Sequence, residues 1–309
     1  TEGAAGMAKR PYSFLPGCSF RPGASASHAL RSVQTVCAEL DLQLETIPDW
    51  NCCGASLGHV GGGELPRIAL SARNLALSAQ AHPGQDLVTA CPGCWLATRE
   101  ASERLRQDED LLRDAREALA AGGLRVRAEP RVRRLAEVLV EDVGYAEIAA
   151  HVRRPLDGIR IAGYVGCQSS RPVGVAGDST ENPQFLDRLV EALGGESIPA
   201  YEKKVQCCGG ALALSEPARS EGLLRGILDS ARDHQADLVV TPCPVCQLNL
   251  EVYQRRLARS SGARPEVPVV FYTSLMAVAF GCSAREAGLD GPLVPAPALE
   301  ALAGTQGAG

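Results

Sequence analysis

One segment occurs twice in this chain, as Asp86-Leu-Val-Thr-Ala-Cys-Pro-Gly-Cys94 and as Asp237-Leu-Val-Val-Thr-Pro-Cys-Pro-Val-Cys246. Each copy begins with an apolar run of the length of a buried strand and passes into a CxxC motif, after which a helical pattern follows. Strands that alternate with helices predict a parallel sheet, and ligands of such sheets bind at the carboxyl ends of the strands. The sequence therefore predicts an α/β fold whose functional residues include the CxxC cysteines.

The CxxC motifs are the last part of a longer repeat of five cysteines. A single lead cysteine comes first, then an adjacent pair followed by glycine, then the CxxC. These parts are separated by 34 and 38 positions in the first copy and by 40 and 35 in the second. Ten of the twelve cysteines belong to the repeat. The first set comprises Cys18, Cys52, Cys53, Cys91 and Cys94, and the second comprises Cys167, Cys207, Cys208, Cys243 and Cys246.

Other elements are predicted in the same order in both copies. A short strand precedes each lead cysteine (12–15 and 159–165), an amphipathic helix follows it (28–40 and 185–193), and helices start at Trp95 and Gln247 after the CxxC motifs. We therefore expect two pseudo-symmetric cysteine-rich lobes, each with a parallel sheet flanked by helices. The first lobe and a helical linker are expected at 7–155, the second lobe at 156–284, and a peripheral tail at 285–309.

Composition excludes several classes of function. The 309 residues are 45% apolar and carry a formal net charge of −5. Because the sequence has no long basic stretch, it does not indicate a surface that binds nucleic acid or an anionic membrane. No apolar run reaches the roughly 18–20 residues that cross a bilayer, so we expect no transmembrane segment and a cytoplasmic location. In a reducing cytosol, so many cysteines favour metal ligation or redox chemistry over a disulfide framework.

The number of thiols in each set limits the metal that it can hold. A structural zinc ion takes four ligands, whereas each set supplies five. Iron–sulfur clusters accept cysteine thiolates on different irons of one inorganic core. A cubane cluster with four irons also needs only four cysteines, so the fifth is either a spare thiol or a ligand of a cluster opened from the cubane shape. A zinc scaffold that only organises a complex remains an alternative.

The repeat resembles the cysteine-rich (CCG) domain of the B subunit of heterodisulfide reductase and its relatives. Besides both cysteine sets, the resemblance includes Arg171-Pro172, Asn182-Pro183 and Leu193-Gly194. It implies a catalytic subunit that reduces a disulfide or oxidises a dithiol between two non-cubane 4Fe-4S clusters, one in each cysteine set. It also implies that iron–sulfur and flavin subunits of the same complex are the partners. The alternative is an electron-transfer iron–sulfur subunit of a dehydrogenase or quinone-linked complex.

One departure from the resemblance concerns the substrate. Relatives in methanogens commonly have His directly after the second lead cysteine, whereas this chain has Gln168. The Ala- and Arg-rich composition also differs from that of a methanogen protein. We therefore expect a lipoyl group or another small or protein-bound disulfide in place of the coenzyme M and coenzyme B heterodisulfide.

Three further side chains are candidate catalytic residues. Arg21 and Arg171 follow the two lead cysteines and could bind a substrate carboxylate or donate to cluster sulfides, or could form structural ion pairs. His59 could deliver a proton to a product thiolate, or could be an ordinary loop histidine. Lys203 and Lys204 precede Cys207 and could bias the potential of a cluster there, but two adjacent lysines more often indicate a solvated surface.

Overall fold

The described part of the chain forms two four-stranded sheets in which neighbouring strands are parallel. The computed structural model describes residues 11–55, 63–126, 130–257 and 266–304. The first sheet has the order β2-β1-β3-β4 and consists of β1 (Pro11–Leu15), β2 (Gln43–Thr46), β3 (Leu87–Thr89) and β4 (Val132–Arg134). The second has the order β6-β5-β7-β8 and consists of β5 (Arg160–Gly163), β6 (Glu196–Ser197), β7 (Leu238–Thr241) and β8 (Val269–Phe271). The predicted α/β class with two parallel sheets is thus confirmed.

Helices flank both sheets. Those before β5 are α1 (Ser27–Glu39), α2 (Leu65–Ala81), α3 (Pro92–Gln107), α4 (Glu109–Ala120), α5 (Leu135–Glu137), a π-helical stretch (Val138–Val143) and α6 (Tyr145–Ala150). Those after β5 are α7 (Cys167–Ser170), α8 (Phe185–Ala192), α9 (Pro217–Asp233), α10 (Pro244–Leu257), α11 (Tyr272–Ala279) and α12 (Pro297–Gly304). Single 3-10 turns lie at Cys18–Phe20, Val175–Gly177 and Gly210–Leu212.

The strand order places a crevice at the carboxyl ends of two adjacent strands. In the first sheet the chain moves from β1 to β2 on one side and then crosses back to β3 on the other side, and the second sheet repeats this path with β5, β6 and β7. The two connections leave the sheet in opposite directions, and such a reversal is where open parallel sheets bind their ligands. Both lead cysteines and both CxxC motifs follow strands that border this point.

The two lobes interlock through helices that pack across their boundary. Helix α1 of the first lobe packs on α11 of the second. In the opposite direction, α6 packs on α8 and α5 contacts the turn Val175–Gly177. Between α1 and α11, the hydroxyls of Ser32 and Thr273 are buried and hydrogen bond at 2.6 Å. The larger of two apolar clusters runs through both lobes as a result, and the smaller one lies within the second lobe.

Residues 285–304, which the sequence predicts as a peripheral tail, contribute to this core. Ala287 and Leu299 are fully buried. Arg31 on α1 pairs with Asp290 and donates to the carbonyl of Arg285 at 3.1 Å. The segment therefore lies against the first lobe and also against α10, where Arg255 donates to the carbonyl of Leu293 at 2.8 Å.

Candidate metal centres

The ten repeat cysteines come together in two sets of five. Each set is assembled at the carboxyl edge of one sheet from the segments that follow its first three strands. Neighbouring thiols contact one another in the order Cys18, Cys52, Cys53, Cys94, Cys91 in the first lobe and Cys167, Cys207, Cys208, Cys246, Cys243 in the second. The Sγ atoms of Cys18 and Cys52 are 3.7 Å apart, and those of Cys208 and Cys246 are 3.5 Å apart. Equivalent residues thus have equivalent neighbours in both lobes.

Each set has a buried inner part and an open edge. All twelve cysteines of the chain are free thiols. In both lobes the second cysteine of the pair and the two CxxC cysteines are buried. The open edge consists of the lead cysteine and the first cysteine of the pair, which are Cys18 and Cys52 in the first lobe and Cys167 and Cys207 in the second.

The first cysteine of each pair is the most acidic thiol of its open edge. Hydrogen bonds from Cys18 and Cys53 lower the pKa of Cys52, and the positive charge of Arg21 lowers it further. The pKa of Cys207 is lowered in the same way by Cys167 and Cys208. The backbone N–H of Gly209 also points at the Cys207 sulfur, at 3.3 Å. A lowered pKa favours the thiolate, which is the form of cysteine that ligates metals.

Glycines make room for the sulfurs. Gly17 and Gly166 precede the lead cysteines and have φ angles of +86° and +74°. A Cβ on Gly17 would lie 2.7 Å from the Sγ of Cys94, and a Cβ on Gly166 would lie 3.5 Å from that of Cys246. A side chain at position 17 would therefore push into the first set, so the glycine is needed for both the backbone angle and the space.

The CxxC motifs lie in the first turn of their helices. The predicted helix starts at Trp95 and Gln247 are wrong, because α3 begins at Pro92 and α10 at Pro244. Proline is favoured at the first helical position, where its missing N–H costs nothing. The hydroxyl of Thr89 accepts from the N–H of Cys91 at 3.3 Å, and Thr241 does the same for Cys243 at 3.4 Å.

This donor set fits an iron–sulfur cluster better than a single metal ion. Five free thiols converge in each lobe, one more than the four ligands of a tetrahedral zinc site. A polynuclear core takes thiolates on different irons, so its ligands need not surround one point.

The three candidate catalytic residues have different surroundings. Arg21 is exposed and stacks over the Trp50 ring, with 4.8 Å between its guanidinium carbon and the ring centroid. Arg171 is exposed and forms an ion pair with Glu181 at 2.7 Å. His59 lies outside the described residues. Neither arginine is buried, so both guanidinium groups are accessible from solvent.

Lys204 is not part of a solvated surface. Its side chain is 3% exposed and forms an ion pair with the equally buried Asp187. Its carbonyl accepts a hydrogen bond from the N–H of Gly166 at 2.8 Å. Because burying an unpaired ammonium group is costly, the ion pair holds the segment before Cys207 against α8. The backbone hydrogen bond from Gly166 joins the same segment to the residues before Cys167.

A cavity of about 530 Å³ opens beside the second set. Its lining comes from both lobes, with Leu96 of α3 on one side and Cys167, Gln168, Arg171, Pro172 and Thr180 on the other. Cys167 and Arg171 were predicted from the sequence, whereas Leu96 was missed, since its only signal is its place two residues after a CxxC motif. The arrangement can admit a small molecule or the end of a flexible arm to the open edge of the second set.

Comparison with known proteins finds a matching family and several similar proteins. A family profile described as "CCG: Cysteine-rich domain" matches residues 12–98 and 161–251. The chain is 31% identical over 293 residues to the 8-methylmenaquinol:fumarate reductase membrane anchor subunit of Wolinella succinogenes, covering 94% of this chain and 99% of the relative. It is 31% identical over 284 residues to a protein of Archaeoglobus profundus that is named as similar to the B subunit of heterodisulfide reductase, covering 87% and 90%.

Two further matches extend the comparison. The B subunit of the ferredoxin/F(420)H(2)-dependent CoB-CoM heterodisulfide reductase of Methanosarcina acetivorans is 29% identical over 255 residues, covering 82% of this chain and 84% of the relative. A hypothetical protein from Helicobacter pylori has a similar fold, with a TM-score of 0.72 and 15% identity. That likeness covers 92% of this chain but only 52% of the Helicobacter protein. Within the described residues, no helix combines the length and apolar character of a bilayer span.

Proposed function

This chain belongs to the CCG cysteine-rich domain family, and on that premise we propose that it is the iron–sulfur catalytic subunit of a heterodisulfide reductase-like complex. The proposed reaction is the reduction of a disulfide, or the reverse oxidation of a dithiol. The observation that carries the proposal is the convergence of five free thiols, twice, at the edges of two like sheets.

Each thiol set is proposed to hold one non-cubane 4Fe-4S cluster. The first site would use Cys18, Cys52, Cys53, Cys91 and Cys94, and the second Cys167, Cys207, Cys208, Cys243 and Cys246. When bound, each cluster supplies electrons one at a time together with iron positions that accept sulfur ligands. The open edges formed by the lead cysteines and Cys52 and Cys207 are where such positions would be accessible.

Two sites match the stoichiometry of the reaction. A disulfide takes up two electrons and two protons and yields two thiols as its S–S bond breaks. The electrons are proposed to come singly from an iron–sulfur or flavin partner subunit of the complex, and in the reverse direction they return to it. The cavity between Leu96 and Cys167 supports this proposal, because it gives a substrate access to the lobe boundary.

The arginines are proposed to bind the substrate. Arg171 borders the cavity, and its pairing with the exposed carboxylate of Glu181 indicates that it can exchange that partner for an acidic group of the substrate. Such an exposed ion pair contributes little to stability, so the exchange is easy. Arg21 would do the same beside Cys52. A proton-delivering role for His59 stays a prediction from the sequence.

A lipoyl group or another small or protein-bound disulfide is the substrate that we propose. A lipoyl arm is long, flexible and apolar, and Leu96 and Pro172 give the cavity apolar walls. The cytoplasmic location expected from the sequence also belongs to this proposal.

A second candidate function is electron transfer in a quinone-linked complex. It is favoured by the relative from Wolinella succinogenes, which is named as a subunit of an 8-methylmenaquinol:fumarate reductase and matches almost the whole chain. In that case the clusters would pass electrons between partner subunits without a sulfur substrate.

Anaerobic iron and acid-labile sulfide analysis tests the cofactor. We expect about eight irons and about eight sulfides per chain, since each of two sites would hold four of each. Zinc without sulfide would exclude both redox functions and leave a scaffold.

Substrate assays with the purified, cluster-containing chain separate the two functions. With an artificial one-electron donor, the catalytic subunit should cleave lipoyl-type disulfides or, with an acceptor, oxidise the corresponding dithiols. A chain that exchanges electrons rapidly with quinone-linked partners but leaves every disulfide and dithiol unchanged would support the second function instead.

A further inference from the structure

The two CxxC motifs differ at one position, which is Gly93 in the first lobe and Val245 in the second. At Gly93, a side chain from the other lobe takes the place of the missing one. The amide oxygen of Gln168 lies 3.0 Å from the point that a Cβ would occupy, and the Sγ of Cys91 lies 3.7 Å from the same point. An amide of the second lobe therefore reaches into the first site.

The second lobe differs at both positions of this contact. The position equivalent to Gly93 is occupied by Val245, whose Cγ1 lies 3.1 Å from the point that a Cβ on Gly210 would occupy. The residue directly after the first lead cysteine is Ser19, which has a shorter side chain than Gln168. The residues that form the Gln168–Gly93 contact are therefore not repeated in the other half of the chain.

The position of Gln168 is fixed by its helix. It lies on α7 between Cys167 and Ser169, and α7 packs against α3, which carries Gly93. The hydroxyl of Ser170 donates to the carbonyl of Gly166 at 2.9 Å, which anchors the short helix to the glycine at its start. The amide is therefore held at the first site.

We propose, on the basis that both cysteine sets hold iron–sulfur clusters, that the Gln168 amide donates a hydrogen bond to sulfur in the first site and raises its reduction potential above that of the second. Thiolate and sulfide only accept hydrogen bonds. Rotating the side-chain amide of Gln168 by about 180° exchanges its oxygen and its NH₂ group, so the NH₂ group can donate to sulfur. Such donors stabilise the more negative, reduced state of a cluster. Of two electrons supplied singly by the partner subunit, the first would reside at the first site.

Redox titration followed by electron paramagnetic resonance tests this proposal. Gln168→Ala should keep about eight irons per chain and lower the midpoint potential of one cluster. We expect at least a tenfold change in the one-electron equilibrium constant, which corresponds to about 59 mV. The shifted cluster is assigned in chains that carry Cys52→Ser or Cys207→Ser, which should remove the first or the second cluster respectively.

A double-mutant cycle with Gly93→Ala tests the contact itself. The added methyl group would displace the Gln168 amide, so G93A should lower the same potential and the double variant should be no lower than either single variant. Ser19→Ala is the matched control, because it changes the residue after the other lead cysteine and should leave both potentials unchanged.

Two results would overturn the inference. One is an unchanged first-site potential in Q168A with full iron content, and the other is a shift confined to the second site, which would mean that the substitution acts only through its neighbour Cys167. A wild-type chain without iron and sulfide would overturn the proposed function as well, and the iron analysis distinguishes that failure from the first two.

Discussion

The guanidinium group of Arg134, at the end of β4 in the first lobe, donates a hydrogen bond to the backbone carbonyl of Ser169 in the second lobe at 2.6 Å. It also donates to the carbonyl of Val173 at 2.7 Å and stacks 3.6 Å from the ring centroid of Trp95. Burial lowers the pKa of Arg134 to about 10, so it remains charged at neutral pH. One side chain therefore holds the segment that carries Cys167 against the helix that carries Cys94.

Replacing Arg134 by Met should destabilise the protein by about 3 kcal/mol, because the buried carbonyl of Ser169 and the partly buried carbonyl of Val173 would lose their donor. Chemical denaturation of the cluster-free chain measures this. Arg99→Met is the control, since Arg99 also stacks on Trp95 but is 29% exposed and binds Glu103 on its own helix. Equal losses in the two variants would contradict the role of Arg134 between the lobes.

Replacing Cys207 by Ser should remove one cluster and leave the other, because Cys207 occupies the open edge of the second set only. Iron should fall from about eight to about four per chain, with the circular dichroism spectrum of the folded chain retained. Cys37→Ala should keep all the iron, since Cys37 is buried on α1 outside both sets. Unchanged iron in C207S would show that the ligand assignment is wrong.

Replacing Gly209 by Ala should lower the free energy of unfolding by about 1–3 kcal/mol and loosen the second site. Gly209 has a φ of +71°, and an added Cβ would lie 3.0 Å from the Cα of Ser220 on α9. Thermal or chemical denaturation measures the loss, and iron content reports the site. Gly222→Ala, on the same helix with open space at the Cβ position, should instead stabilise the protein by about 0.5–1 kcal/mol. Similar effects at both positions would exclude the steric explanation.

Glu251 should make stability fall as pH rises. It is buried on α10, and burial raises its pKa from 4.5 to about 7. Since the folded state holds this proton more tightly than the unfolded state, the stabilisation is complete below about pH 4.5 and is lost by about pH 7, a change on the order of 3 kcal/mol. Denaturation curves at several pH values should show this fall in the wild type and a flatter profile in Glu251→Gln. Equal pH dependence of stability in the wild type and in Glu251→Gln would contradict a raised pKa of Glu251.

Much of each lobe was predictable because local pattern and global fold agree there. The strands before Cys18, Cys91 and Cys243 are apolar runs that end at a cysteine, and their burial in parallel sheets preserves that pattern. The edge strands β2 and β6 were missed. Their exposed and half-buried residues, such as Gln43 and Glu196, do not form an apolar run, and pairing with β1 and β5 fixes them as strands.

Features that depend on contacts between distant segments could not be predicted. Lys204 looked solvated because its partner Asp187 is 17 positions away and meets it only in the fold. Strand β4 is a short segment, Val132–Arg134, inside an arginine-rich region whose pattern is typical of helix. The contact between Gln168 and Gly93 forms only when both lobes are folded and packed together. Its only signal in the sequence is the difference between Cys-Pro-Gly-Cys and Cys-Pro-Val-Cys.

The exchange of helix contacts across the lobe boundary bears on how such a chain could arise. Helix α1 of the first lobe covers α11 of the second, and residues after β4 in turn contact residues around α8. A single ancestral repeat would have exposed both apolar surfaces in isolation and could have covered them by pairing with an identical copy about a two-fold axis. The present protein has the layout expected of such a homodimer whose gene was duplicated and fused. Within one chain, positions such as 93 and 168 need not match their counterparts in the other half.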